Sequence, residues 1–220
     1  MASSRTAIAN MALGMINEEE IQQFSNATDH VEKVIRTYFE DTYEEVCTEF
    51  PWNFCTASKR LAETQNTPIG FSNSFAIPNA PKTLRVLGLE EVGNTDPAWE
   101  RRGDELLTNS ASCTIKYIYK VEDITKVPAH IVRCVATLLA SRIAIPILGI
   151  EGQSLMQIYH NMYVQDVRPN AVFIDANEGK NPVIEESTVL GGFMVDGRFY
   201  EGGSAVDITY VDTSGDYGTY

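Results

Sequence analysis

The stretch Phe50-Pro51-Trp52-Asn53-Phe54 marks the point where helical periodicity stops and strand-like alternation begins. Upstream of it, residues 27–49 carry apolar side chains at helical spacing. Pro51 has no backbone N–H to donate and disfavours helical dihedrals at Phe50, so the helix is predicted to end here. Downstream, the residue types favour an extended segment. The sequence therefore predicts a corner between a helical layer and a β layer, built on Pro51, Trp52 and Phe54, with the Trp52 ring buried.

The balance of charge and the cysteine content limit the class of protein. Thirty Asp and Glu face seventeen Lys and Arg, which gives a net charge of −13 over 220 residues. A protein that wraps nucleic acid needs rows of Lys and Arg, so tight nucleic-acid binding is not expected. The four cysteines form no C-x-x-C pair, so we expect buried free thiols. The N-terminus lacks a long apolar signal sequence, so we expect the protein to be used in a cytosol.

Two helices are predicted before the corner. The first spans residues 5–17. The second spans residues 27–49 and follows a polar loop in which Ser25 or Asn26 can act as the N-cap. Several acidic side chains lie on its outer face, which we interpret as a solvated surface: Glu32, Asp41, Glu44 and Glu45.

Residues 51–125 are interpreted as a β domain. Short segments rich in β-branched and aromatic residues alternate there with Pro- and Gly-containing linkers, which is typical of antiparallel strands. The segment Trp99-Glu100-Arg101-Arg102 is interpreted as a loop tip with a charged solvent edge. About five strands in this length predict a small antiparallel sandwich or barrel. The candidate strands are residues 53–61, 73–77, 82–89, 104–107 and 112–120.

Helical periodicity returns at Pro128, which fits the first position of a helix. This helix is apolar over most of its circumference and is predicted to end at Pro146 and Gly149. Because charged residues and a proline interrupt its apolar run, we interpret it as a buried core helix and not as a membrane span. The next helix is predicted over about residues 152–168, bounded by Gly152 and Pro169, with three residues on one face: Leu155, Tyr159 and Met162.

The order of these elements predicts an α+β fold. Residues 1–50 and 126–177 would form an antiparallel helical bundle, and residues 51–125 would be inserted into it as the β domain. Residues 178–220 are Gly-rich but retain many apolar side chains, which predicts an extended C-terminal arm and not a solvated linker. The arm either packs on its own subunit or adds to a neighbouring chain as a strand. Its candidate partner-binding residues are Leu190, Phe193, Phe199, Tyr200 and Tyr210.

The sequence contains no recognisable catalytic pattern. No Gly-rich phosphate loop and no G-x-S-x-G elbow is present. The histidines lie on predicted helices, and none has a second ligand at the spacing of a metal site: His30, His130 and His160. We therefore expect no catalytic, cofactor-binding or metal-binding residues and no enzymatic activity.

Residues 5–177 resemble the tail tubular protein A family, the head-to-tail adaptors of short-tailed phages. Each motif that carries the resemblance is short, and their order and spacing make the match. They are Ala7-Ile8-Ala9-Asn10-Met11-Ala12-Leu13-Gly14, Phe50-Pro51-Trp52-Asn53-Phe54, Arg60-Leu61-Ala62, Pro68-Ile69-Gly70-Phe71, Phe75-Ala76-Ile77-Pro78, Leu84-Arg85-Val86, residues 99–103, Leu107-Thr108-Asn109, Tyr117-Ile118-Tyr119, Glu122-Asp123 and the two helices that end near Pro146 and Asp175-Ala176. Asn79-Ala80-Pro81 departs from the family, Phe71 and Phe75 replace common tyrosines, and the arm matches none of its motifs.

The resemblance implies a structural virion protein and not an enzyme. Such adaptors form a ring, usually dodecameric, beneath the portal protein and receive the next tail component, a tube or nozzle, on the other side. The helical bundle would form the ring, the β domain would lie at its periphery, and genomic DNA would pass through without sequence-specific binding. The expected location is the head–tail junction of the virion, and the host cytoplasm during assembly. No membrane partner is expected.

Two other classes of function stay open at this point. A tail-associated hydrolase of cell wall or capsule would need a pair of carboxylates in a cleft. A soluble cytosolic binding module would be a stable monomer that does not respond to a portal protein.

Overall fold

A computed structural model describes residues 4–24, 29–64, 66, 69–90 and 98–178, together with the backbone of three short strands between residues 193 and 205. Contacts divide the chain into two compact units, Met1–Glu178 and Gly179–Tyr220. Both helices and antiparallel sheets are present, so the predicted α+β class is confirmed at this level.

The N-terminal helices are α1 (Arg5–Met15) and α2 (His30–Glu49). Helix α2 starts three residues later than predicted, with Asp29 at the N-cap, where the Glu32 carboxylate accepts the Asp29 backbone N–H at 3.4 Å. This reciprocal capping arrangement satisfies N–H groups that the first turn leaves without helical partners. The alternative caps, Ser25 and Asn26, lie outside the described residues.

Helix α3 (Ala129–Leu148) is the central helix of the first unit, and it packs against α1, α2 and the helix that follows it. Twelve of its residues are buried, which confirms the predicted core helix. Pro128 is the N-cap and not the first helical residue. Of the two residues predicted to end the helix, Gly149 is the C-cap, as predicted, but Pro146 lies inside the helix, which continues to Leu148. A proline in the last turn removes only one helical N–H, and Gly149, with φ +66°, makes the actual break.

The last helical region consists of α4 (Gly152–Met162), a π-helical turn (Tyr163–Val167) and α5 (Arg168–Ala176). The prediction that Pro169 bounds the helix was wrong. Pro169 lies in the first turn of α5, where a missing N–H costs least, and the wider π turn precedes it. Residues Ala129–Ala176 include a window apolar enough to cross a membrane, with a mean hydropathy of 1.9, but 67% of that window is buried in the protein.

Six strands form two three-stranded antiparallel sheets in the first unit. Sheet A has the order β1-β6-β3 and sheet B the order β2-β5-β4. The prediction of a loop tip at Trp99–Arg102 was wrong, because this segment is strand β4 and pairs with β5 from Trp99 opposite Thr108 to Arg102 opposite Glu105. Gly103, with φ +63°, allows the tight turn between them. The strands are β1 (Thr56–Arg60), β2 (Asn73–Ala76), β3 (Thr83–Leu89), β4 (Trp99–Arg102), β5 (Glu105–Thr108) and β6 (Thr114–Tyr119).

Sheet A contributes to two apolar cores. The helical core contains the inner faces of the helices and also Ile118 of β6. The sheet core contains residues from both sheets, among them Phe75 and Leu106 of sheet B and Ile115 and Tyr117 of β6. Because successive side chains of a strand point to opposite faces, β6 serves both cores at once.

Polar contacts join α2 to sheet A. The buried Tyr43 hydroxyl donates to the Val121 carbonyl at 3.0 Å. Lys120 lies 2.7 Å from Glu40 and 3.1 Å from Glu44, and Lys82 lies 2.7 Å from Glu44. The interpretation of the acidic face of α2 as simply solvated was therefore wrong at Glu44, which pairs with two lysines.

The second unit contains three short antiparallel strands in chain order, β7 (Phe193–Val195), β8 (Arg198–Glu201) and β9 (Ser204–Ala205). Phe193 lies opposite Tyr200 and Met194 opposite Phe199 in the backbone register. Two of the predicted partner-binding residues, Leu190 and Tyr210, lie outside the described residues.

Candidate functional site

The corner that the sequence predicted is a packed structural element. Trp52 is completely buried, and its indole Nε1 donates to the Val46 carbonyl at 2.7 Å. The Phe50 ring meets it edge-on at 4.9 Å between centroids, and Phe54 packs against the helical core. Pro51 follows the last residue of α2 by two positions, as predicted. These contacts hold the chain in place at the corner.

The residues that sequence reasoning considered for chemistry stay apart. A ring nitrogen of His30 lies 3.3 Å from the Pro146 carbonyl, His130 Nε2 is buried without a hydrogen-bond partner, and His160 lies on α4. Within the described part of the chain, no group of three His, Cys, Asp or Glu residues is placed to hold a metal ion. The four cysteines are buried and free, as predicted, and burial raises the pKa of Cys134 to about 12.

Most of the exposed large hydrophobic side chains of the described residues lie on the helical hairpin of α3, α4 and α5. Gly152 makes this hairpin possible, because a Cβ there would lie 2.2 Å from the Ala144 carbonyl oxygen. Only a glycine therefore allows α4 to approach the end of α3 so closely.

The inner face of α4 anchors the hairpin. Leu155 and Tyr159 pack against the helical core, and the Tyr159 hydroxyl donates to the Met15 carbonyl of α1. Tyr163 is buried in the π turn and donates to the Glu49 carboxylate at the end of α2. Burial, with the hydrogen bond to Glu49, raises the pKa of Tyr163 above its usual range, so its hydroxyl stays a donor. Met162, which the sequence places on one face with Leu155 and Tyr159, is exposed in the structure, whereas Tyr163 is buried.

Exposed large hydrophobic side chains are concentrated on the hairpin, where they stand among exposed polar residues such as Gln157 and Asn161. Nine large hydrophobic side chains are exposed among the described residues, and seven of them fall between residues 145 and 174. Ile158 is 54% exposed and Phe173 is 60% exposed. The others in this region are Ile145, Ile150, Met162, Val164 and Ile174. We call these seven residues the hairpin surface.

The hairpin surface is also poor in charge. Residues 152–165 contain no Asp, Glu, Lys or Arg, although charged residues make up 21% of the whole chain. A groove of about 530 Å³ between α3 and α4 is lined by Leu138, Ile145 and Met156, with Arg142 ion-paired to Glu45 in its wall. Depletion of charge together with exposed aliphatic, Met and aromatic side chains is the composition of a protein–protein interface core. The arrangement can bury apolar surface against another chain.

Sequence reasoning did not find the hairpin surface. The available signal was the absence of charge over residues 152–165, together with Ile158 and Phe173 lying off the face that contacts the core. No family model matches the chain, and no curated protein matches it.

Proposed function

We propose that the protein is a structural virion component, a head-to-tail adaptor that forms a ring beneath a portal protein and connects it to the tail tube or nozzle. The observation that carries the proposal is the hairpin surface, because seven exposed large apolar side chains, in a region whose residues 152–165 contain no Asp, Glu, Lys or Arg, suit a protein that buries them against other copies. The ordered motifs that resemble the tail tubular protein A family support the same role.

In the proposed ring, the contacts between subunits are not spread evenly over the subunit. The helical bundle forms the ring through the hairpin surface, the small sandwich or barrel of sheets A and B lies at the periphery, and the C-terminal arm meets a neighbouring chain. A dodecamer is the ring size that the resemblance implies. With a net charge of −13, the subunit lets DNA pass without holding it.

A hydrolase is the less favoured function. It needs two carboxylates facing a cleft. The groove between α3 and α4 is lined by one carboxylate among the described residues, Glu45, which is ion-paired to Arg142. A second pocket is lined by Glu122 and Asp123, where Glu122 lies 4.0 Å from Arg5 and Asp123 accepts hydrogen bonds from Thr125. A cytosolic binding module would leave the hairpin surface exposed to solvent in the free protein.

Electron microscopy of the purified protein mixed with its portal protein tests the proposal. We expect a ring on the portal with the natural protein and with Ile69→Asp, which alters a residue that is 90% exposed outside the hairpin surface. We expect no ring with Ile158→Asp or Phe173→Asp, although both variants keep the natural thermal midpoint. Absence of a ring with the natural protein would overturn the proposal.

A further inference from the structure

The groove between α3 and α4 and two exposed side chains of α5 lie apart on the same helical hairpin. Phe173 is 60% exposed and Ile174 is 45% exposed. We call these two residues the α5 pair. Neither of them lines the groove, whose residues on α4 lie between Met156 and Asn161. The hairpin surface therefore contains a cavity and a separate pair of exposed apolar side chains.

The α5 pair cannot enter the groove of its own subunit. Helix α4, the π turn and α5 follow one another without a gap from Gly152 to Ala176. Phe173 follows Asn161 by 12 residues, which corresponds to about 18 Å at the helical rise of about 1.5 Å per residue. A hydrogen bond from the Tyr163 hydroxyl to the Glu49 carboxylate fixes the π turn between them. If the α5 pair fills a groove, that groove therefore belongs to another subunit.

The groove suits large apolar side chains. Its volume of about 530 Å³ is in the range of small-molecule pockets, so it has room for more than one side chain. Ile145 and Met156 form part of its apolar wall. Arg142 in the same wall donates to the Thr42 hydroxyl at 3.2 Å and pairs with Glu45, so an apolar group can enter without leaving a buried charge unpaired. The flat guanidinium group also packs well against an aromatic ring.

The lack of exposed charge around both features favours a second copy of the chain as the partner. Residues 169–177, which include the α5 pair, contain one charged residue, Asp175, and it is only 2% exposed. Residues 152–165 contain no Asp, Glu, Lys or Arg. Because the chain has a net charge of −13, two copies repel each other wherever their acidic surfaces meet. Contact between these two segments avoids that repulsion, whereas a basic partner would find no carboxylate to pair with on them.

We propose that the groove between α3 and α4 of one subunit accepts the α5 pair of a second copy of the chain. Phe173 supplies an aromatic anchor, and anchors that fill a pocket contribute most of the binding energy at protein interfaces. The contact is heterologous, because two different surfaces meet in it. Two joined subunits keep a free groove at one end and a free α5 pair at the other, so the contact can continue around a ring. This inference rests on the proposed ring and identifies the two surfaces that meet in it.

Mixing two full-length variants separates this contact from a symmetric one. Phe173→Asp damages the α5 pair and leaves the groove intact, whereas Gln157→Trp blocks the groove and leaves the pair intact. We expect sedimentation velocity to show reversible self-association of the natural protein, and each change to weaken it about tenfold or more. A mixture of the two variants should form dimers and nothing larger, because one intact groove and one intact pair remain. The controls are Gln153→Trp, on α4 outside the groove, and Ile69→Asp, which should both associate like the natural protein. A mixture that stays monomeric, or an equal loss from Gln153→Trp, would contradict the contact.

Cross-linking tests the same contact by position, with and without the portal protein. All four natural cysteines are buried, so a short bismaleimide can join cysteines introduced in one chain by Gln157→Cys, in the groove wall, and Asn170→Cys, one turn before Phe173. We expect a ladder of trimers and larger species, because a head-to-tail contact links each subunit to two others. The control, Gln153→Cys with Asn170→Cys, should give no ladder.

The cross-linking result also separates this contact from the proposed function. A ladder that stops at the dimer, or an equal ladder from the control, would overturn the heterologous contact. A ring on the portal without the ladder would overturn this contact and leave the virion role in place. A ladder without a ring on the portal would support the contact and overturn the virion role.

Discussion

Asn53 donates hydrogen bonds to Asp175 from both its backbone and its side chain, although 122 residues separate the two in the chain. The Asp175 carboxylate accepts the Asn53 backbone N–H at 3.1 and 3.2 Å, and the Asn53 side-chain amide donates to the Asp175 backbone carbonyl at 2.7 Å. Asp175 is only 2% exposed. Burial raises the pKa of Asp175 above its usual range, and the hydrogen bond from Asn53 opposes that rise. The last turn of α5 is thereby fastened to the corner after α2.

Asp175→Ala should lower the free energy of unfolding by about 1–3 kcal/mol, because it leaves the Asn53 N–H without its acceptor. Urea unfolding followed by circular dichroism measures the change. Glu178→Ala, at an exposed position beyond the same helix end, is the control and should change stability by less than about 0.5 kcal/mol. Equal urea midpoints for the two variants would contradict the role given to Asp175.

Trp52→Phe should destabilise the protein by about 2–4 kcal/mol, since it leaves the Val46 carbonyl without its buried donor and opens a cavity. The matched control is Trp99→Phe, because Trp99 is only partly buried on β4. We expect that change to cost about 1 kcal/mol or less. Thermal unfolding measures both, and a larger loss at Trp99 than at Trp52 would show that the corner is not a main packing site.

Gly152→Ala should destabilise the protein by about 1–3 kcal/mol, because the new Cβ would overlap the Ala144 carbonyl and separate α4 from α3. Gly14→Ala is the opposite case. Gly14 lies within α1 with nothing within 4 Å of a Cβ, so alanine there should stabilise by about 0.5–1 kcal/mol. Urea midpoints for the pair should move in opposite directions. Movement in the same direction would count against the close helix approach.

The cluster of Glu44, Lys82 and Lys120 should make the protein less stable as the pH becomes acidic. Burial opposes ionisation of Glu44, but hydrogen bonds from Lys82 and Lys120 outweigh it and lower the pKa of this carboxyl. A lowered folded-state pKa stabilises the protein above the unfolded pKa, about 4.3, and this contribution is lost as pH falls through the folded value. Lys120→Met should therefore reduce the free energy of unfolding at pH 7 by at most about 1 kcal/mol, because solvent screens Glu44. The same change should make stability fall less steeply below about pH 4.5.

Thermal midpoints measured from pH 3 to pH 7 test this prediction. Lys126→Met is the control, since Lys126 pairs with Asp123 at 3.8 Å on an exposed turn. Identical pH profiles for Lys120→Met and the natural protein would exclude the cluster as the source of acid sensitivity.

Local sequence patterns were sufficient to predict most helices and strands, but not the residues at which they begin and end. The corner at Pro51, the core helix α3 and five of the six strands of the first unit were predictable, because proline geometry and apolar periodicity are local properties. Strand β4 was not, because Glu100, Arg101 and Arg102 are charged and the segment becomes a strand by pairing with β5. Pro146 and Pro169 were given too much weight as helix breaks, because packing of α3 and the π turn accommodate them.

The hairpin surface depends on tertiary structure and so was hidden in the sequence. Helical spacing groups Leu155, Tyr159 and Met162, but in the structure Tyr163 is buried and Met162 is 38% exposed. Which apolar side chains stay uncovered is decided by how α4 lies on α1 and α3, and that depends on Gly152 and on the Tyr159 contact with Met15.

Strand β6 contributes side chains to both apolar cores, and this limits how the protein can be re-engineered. An excision that joined the chain ends flanking residues 56–119 would remove Ile118 from the helical core along with the whole of sheet A, and would remove Lys82, which pairs with Glu44 of α2. Residues 56–119 therefore cannot be removed without damage to the helical core. Chimaeras with other proteins should exchange sheet B and its connecting turns, and should keep β1, β3 and β6 with the helices.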